Sequence, residues 1–165
     1  MRHLQIVLVA LTFGLFSTAA RAEPVRLEAL LTTTESISLG FKDNERHFVT
    51  LLKREGKGAG SGVFEGAKVA EYGLHDVVNG DTAQATGYLE VVTGSGDAAY
   101  LRWELRAHFV SGSDGGTKLI NGGTWELAGG TGTFAGRRGV GSMRIEFPSK
   151  TERLYIFEGD ISRNP

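Results

Sequence analysis

The sequence predicts an all-β protein whose single antiparallel, up-and-down sheet closes into a barrel. Three observations carry that expectation. Helix signatures are scarce, since no long stretch places apolar residues at i, i+3, i+4 and i+7 between a cap and a closing glycine. Alternation dominates instead, most clearly in Ala99-Tyr100-Leu101-Arg102-Trp103-Glu104-Leu105-Arg106-Ala107-His108-Phe109, where odd positions are apolar and even positions polar or amphipathic. Short turns rich in glycine, aspartate and asparagine separate such runs and leave no room for crossover helices. Eight or nine short strands in a chain of 165 residues must hide their edges. They do so by closing, or by stacking as a jelly roll or immunoglobulin-like sandwich, and the closed barrel is the expectation.

The chain begins with an export signal over residues 1–22. Arg2 and His3 lead, residues 4–16 form an apolar core, and Ala20-Arg21-Ala22 supplies an A-x-A cleavage site. The apolar run is shorter than the ~20 residues a membrane helix needs, so cleavage is expected rather than a retained anchor. No later stretch is apolar enough to enter a membrane as a helix, and the domain proper spans residues 23–165.

Strands are then expected at residues 25–34 and, after a turn at Asp43-Asn44, at 47–54. A short glycine-bounded strand follows at 60–64, and residues 68–78 run up to a hairpin signal at Asn79-Gly80-Asp81. Residues 83–93 answer it, and Gly94-Ser95-Gly96-Asp97 turns into the alternating run. The turn from Ser111 to Gly116 precedes a strand at 117–127. Strands at 142–147 and 153–161 close the chain around Pro148-Ser149-Lys150. No repeat or low-complexity linker divides it, so the chain is one domain.

Composition excludes several functions. The absence of cysteine removes disulfides, thiol catalysis, iron–sulfur clusters and thiolate zinc, and leaves stability to the core. A net charge of −1 with both signs interspersed gives no electrostatic case for nucleic acid or an anionic membrane. No H-E-x-x-H, G-x-S-x-G or D-x-D-x-D-G motif is present, so neither a metal nor a cofactor is expected. His47, His75 and His108 lie far apart and are expected at the surface or rim, and His75 and Asp76, adjacent on a strand, point to opposite faces.

Glycine is densest from Gly122 to Gly141. Gly130-Thr131-Gly132-Thr133-Phe134-Ala135 satisfies G-x-G-x-x-[GA], but a phosphate cradle needs a helix directly behind it, and Gly136-Arg137-Arg138-Gly139-Val140-Gly141 leads into another strand. The glycines are therefore structural: they permit tight turns and close strand approach. Gly129-Gly130-Thr131-Gly132-Thr133-Phe134, the spacer Ala135-Gly136-Arg137, then Arg138-Gly139 resembles the glycine motif of the allene oxide cyclase and dirigent barrels. Arg137 stands where the dirigent pattern usually has a small alanine. The resemblance implies a calycin-like, eight-stranded barrel with a hydrophobic cavity, often assembled as a trimer. Plant members guide cyclisation or radical coupling of small apolar substrates, and similar bacterial barrels include polyketide cyclases. The catalytic carboxylates and tyrosines of those proteins lie outside the motif, so none is carried over.

The strand at 99–109 is the first place to look for a binding surface. Its apolar face offers Leu101, Trp103, Leu105 and Phe109 as a cavity lining. Its other face carries Tyr100, Arg102, Glu104, Arg106 and His108, which are either solvated or, if the strand is inverted, turned inward. In the inverted case Arg102 and Glu104 supply an interior acid–base pair, joined by Tyr88 and Glu90 from the neighbouring strand. The last strand is apolar on both faces through Leu154, Tyr155, Ile156 and Phe157 and should be covered on both sides. Arg137 and Arg138 either anchor an anion at the barrel mouth or stay solvated in a turn.

Two functional readings follow. In the first, a secreted or periplasmic barrel binds a small apolar molecule and, where it is catalytic, guides a cyclisation or isomerisation without a cofactor. A homo-oligomer, trimer or dimer, goes with it. In the second, the barrel is a non-catalytic structural or interaction module whose interior is filled by its own side chains.

Overall fold

In a computed structural model that describes residues 22–59, 62–113 and 115–163, eight antiparallel strands form a closed barrel in simple sequence order. They are β1 (Glu23–Gly40), β2 (His47–Ala59), β3 (Lys68–Val78), β4 (Thr82–Val92), β5 (Ala98–Ser111), β6 (Thr117–Gly130), β7 (Arg137–Glu146) and β8 (Glu152–Arg163). Each strand pairs with the next, and β8 returns to pair with β1 from Glu23↔Ile161 to Thr32↔Glu152. Closure leaves neither β1 nor β8 as a free sheet edge. Of the expected export signal over residues 1–22, all but Ala22 lies outside the described residues, as does Asp114 in the turn before β6.

Two differences from the expected strands have physical causes. β1 continues beyond residue 34, because a register shift between Thr33 and Glu35 lets it bend and keep pairing with β2 as far as Gly40↔Phe48. The expected short strand at 60–64 is instead a single 3-10 turn, Gly62–Phe64, with Gly60 and Ser61 outside the described residues. That turn drops Phe64 into one end of the barrel, where it stacks on Phe134 at 5.6 Å between ring centroids. Both rings are buried and together plug that end.

Phe134 reaches the plug from the glycine motif. Gly132–Phe134 is a second 3-10 turn, and Gly132 takes φ +50°, a conformation that favours glycine. A side chain at Gly132 would collide with the Asp97 carboxylate, which accepts hydrogen bonds from the Thr133 amide (3.0 Å) and hydroxyl (2.7 Å). Thr131 clasps the start of β5, accepting from the Ala98 amide at 2.9 Å and donating its own amide to the Ala98 carbonyl at 2.8 Å. The backbone of Gly141 and Gly159 passes close under the Trp125 indole, whose Nε1 donates to the Glu158 carbonyl at 3.1 Å.

The core fills the plugged half. Leu27, Val69, Leu89, Leu101, Phe157 and Ile161 point inward there, each buried, and each contributes about 1.5–3 kcal/mol of burial. The other half is not filled.

Candidate functional site

The unfilled half is a cavity of about 380 Å³ that reaches the barrel end carrying the turns before β2, β4, β6 and β8. Phe48, Phe109, Leu119, Phe147 and Arg153 stand near that end, and Ala83, Ala85, Leu105, Ala107 and Ile145 form much of the wall. The wall is apolar because β4 to β7 obey the expected alternation, with their odd positions turned inward. Asn121, the polar exception, closes on β7 by donating to the Ile145 carbonyl and accepting from its amide, both at 2.8 Å.

The floor is polar, and β1, β2, β3 and β8 build it. Thr33, Arg54 and Glu71 lie directly opposite one another across three adjacent strands. Arg54 Nη1 donates to Glu71 Oε2 at 2.8 Å and to the Tyr155 hydroxyl at 2.7 Å, and Nε donates to Thr33 Oγ1 at 3.2 Å. His75 Nε2 lies 3.0 Å from Glu71 Oε1. Arg54 Nη1, a donor, stands farther from the same nitrogen at 3.5 Å, and because a carboxylate only accepts, the shorter contact assigns the imidazole proton to Nε2. Nδ1 has no partner among the described residues, and the imidazole lines the cavity.

Gly73 makes that contact possible. Glu71, Gly73 and His75 share the inner face of β3, and residues four apart on a strand are normally too distant to touch. Here the two side chains lean together over the glycine: a Cβ at position 73 would lie 2.6 Å from Glu71 Oε1 and 2.9 Å from His75 Nε2. Trp103 supports the pair from β5. Its ring meets those of His75 and Tyr155 edge to face at 5.9 and 6.0 Å, and its Nε1 is a buried donor without a partner among the described residues.

The charges in this cluster follow from its surroundings. The Glu71 side chain is 0% exposed. Burial alone would raise its pKa, but the hydrogen bond from His75 and the Arg54 charge outweigh that and hold it below the usual carboxylate value. Burial works against the Arg54 cation as well, and Tyr155 and Glu71 more than compensate. Burial, then the Glu71 charge, pushes the Tyr155 phenol well above its ordinary value, so it stays neutral and able to donate. At the mouth, burial and the charge of Arg54 lower Arg153, which packs over the Phe147 ring at 4.7 Å.

Of the residues expected to line the interior, Leu105 and Phe109 are on the cavity wall, while Leu101 and Trp103 lie on the same inner face in the packed region below. Arg102, Glu104, Tyr88 and Glu90 do not face the interior. They stand on the outer surface, Arg102 paired with Glu126 at 2.7 Å, Tyr88 opposite Tyr72, and Glu90 opposite Tyr100. The inverted strand is thereby corrected, because turning it would exchange buried Leu101, Trp103 and Leu105 for two arginines and a glutamate.

His75 corrects the expectation of a surface or rim histidine. His47 and His108 do face outward, with His47 Nε2 2.7 Å from Asp76 Oδ1. Arg137 pairs with Glu23 at the plugged end, 3.0 Å apart, and so does not guard the open mouth.

Sequence reasoning missed Arg54, Glu71, His75 and Tyr155 as a group. Alternation in Lys68–Val78 pointed the other way, because apolar Tyr72 and Leu74 are exposed while Glu71, Gly73 and His75 around them face inward. Compared with known protein families, curated proteins and solved structures, the chain matches none of them.

Proposed function

We propose that the chain is an exported barrel of the allene oxide cyclase type that binds a small, largely apolar molecule in the open half of its interior and orients it for a cofactor-free cyclisation or isomerisation. One observation carries this reading: the 380 Å³ cavity joins an apolar wall to a floor bearing Arg54, His75 and Tyr155. Ligand sites combine these features, an apolar enclosure for affinity and a few convergent polar groups for orientation. Each 100 Å² of apolar ligand surface covered contributes about 2.5 kcal/mol before the cost of association. Arg54 and the Tyr155 hydroxyl favour a ligand with a carbonyl or other oxygen at its inner end, where developing negative charge would be stabilised.

Association of copies belongs to the same proposal. Ile37, Leu51 and Leu74 form a cross-strand row on the outside of β1, β2 and β3, with Leu39 beside it, and Ile37 is 74% exposed. Exposed apolar surface of this kind supports a subunit contact.

Thermal melting with a panel of small lipophilic ketones, lactones and terpenoids tests the ligand reading. At about 100 times Kd a bound compound adds about 2.7 kcal/mol, a shift of several degrees. Ala107→Phe, which fills the wall, should abolish that shift. If no compound moves the wild-type transition, the interior does not hold a ligand of this class.

A further inference from the structure

One imidazole lines the cavity with a ring nitrogen that has no partner among the described residues. The titratable side chains on its surface are Arg54 from β2, His75 from β3, and Arg153 and Tyr155 from β8. Two are guanidinium cations. The third, the Tyr155 phenol, is held neutral. Glu71 is ionised but fully enclosed and engaged on both oxygens, by Arg54 and by His75. Among the described residues the imidazole is the one cavity-lining side chain with a basic nitrogen free of a partner, because its Nε2–H donates to Glu71 and leaves the lone pair on Nδ1.

We infer that His75 is a general base acting through Nδ1 on a ligand in the cavity, with Glu71 as its positioning residue and Gly73 as the gap that lets the two meet. The inference rests on the ligand-binding reading above and narrows it to a substrate class. The substrate is a small apolar carbon acid, with a C–H bond next to a carbonyl. The proton passes to Nδ1, the C–H electron pair becomes the carbon–carbon π bond of an enolate, and the carbonyl π pair moves onto oxygen. In a β,γ-unsaturated substrate the enolate extends to a dienolate, and return of the proton from the imidazolium to its γ-carbon gives the conjugated isomer, with no oxidant or reductant required.

Three features favour that step. Arg54 and Arg153 place two cations on the cavity surface where an enolate would form, and Tyr155 adds a neutral hydroxyl. The imidazolium that forms remains bonded to the Glu71 carboxylate, which offsets its charge as it develops. The apolar wall lowers the local polarity, which strengthens the electrostatic interactions of the base and the developing charge.

The test uses 5-nitrobenzisoxazole, a carbon acid small enough for the cavity. A base removes its ring proton, the nitrogen–oxygen bond breaks, and a coloured nitrophenolate appears. Wild-type protein should turn it over at least about tenfold faster than the same concentration of free imidazole, since a positioned base contributes ~10²–10⁴-fold. His75→Gln should reduce the rate to that of buffer. Glu71→Gln should lower it at least about tenfold and alter its pH profile, while the probe still raises the melting temperature.

A probe that stabilises the wild type without turning over, or a His75→Gln variant as active as wild type, would overturn the assignment and leave ligand binding intact. Neither binding nor turnover by the probe, with no response to the lipophile panel, would overturn both. Nitrogen chemical shifts of wild-type His75 provide a check that needs no variant. In the neutral ring they should place the proton on Nε2, and a neutral ring protonated on Nδ1 would refute the assignment.

Discussion

Glu71 and His75 lie four residues apart on one strand, and their side chains meet at 3.0 Å over the bare backbone of Gly73. Strand geometry normally keeps such residues apart, so the contact exists only because the position between them carries no Cβ.

Gly73→Ala therefore separates the pair while leaving both partner residues unsubstituted. The added methyl falls 2.6 Å from Glu71 Oε1, and the carboxylate must swing away from His75. We expect a loss of about 1–3 kcal/mol in denaturant melts, as for other overpacked interiors. Turnover of 5-nitrobenzisoxazole should fall toward that of His75→Gln. A variant as stable and active as wild type would show that the contact is dispensable.

Glu71 also neutralises a buried cation. Removing its charge by Glu71→Gln leaves Arg54 with only the Tyr155 and Thr33 oxygens and a neutral amide. We expect a loss of about 3 kcal/mol at pH 7, in the range for breaking a buried pair. Chemical denaturation compares the two proteins directly.

Acid should expose the same carboxylate. The pKa of Glu71 is lower in the folded protein than its ordinary value of 4.5, so its contribution is fully present above that value and is lost as pH falls through the depressed one. Asp97, held low by its hydrogen bonds from Thr133, acts in the same direction. Stability measured from pH 6 downward should decline below about pH 4.5, and more shallowly in Glu71→Gln.

Trp103 offers an optical report on the site. Its ring packs edge to face on His75, while Trp125 lies against Phe157 and Gly139. Replacing the imidazole in His75→Gln should therefore change Trp103 emission, and adding Trp103→Phe should remove that change. Identical spectra for wild type and His75→Gln would show that the indole does not sense the site.

The exposed row on β1 to β3 should govern association. Leu51→Glu introduces a charge at its centre, opposite Ile37 and Leu74, and should shift any oligomer toward monomer in light scattering while leaving the melting of the isolated barrel within about 0.5 kcal/mol. Unchanged mass would remove this face as the subunit contact.

Much of the barrel was legible in the residues themselves. Ala99 to Phe109 alternates cleanly enough to mark a strand with two distinct faces, while its pairing with β4 and β6 decided that Leu101, Trp103 and Leu105 turn inward. The Asn79-Gly80-Asp81 turn and the glycine set around Gly132 likewise announce hairpins through backbone conformations that few other residues adopt. Such signals are local, each contained within a few neighbouring residues. The polar floor is not local. Arg54 and Tyr155 are 101 residues apart, and only closure of β8 onto β1 brings the hydroxyl within 2.7 Å of the guanidinium. Nor does alternation reveal that Glu71 and His75 face inward, because polar residues on a strand ordinarily mark the wet side. That orientation is set by the pairing of β3 with both neighbours, and its desolvation is compensated by partners that a linear reading cannot locate.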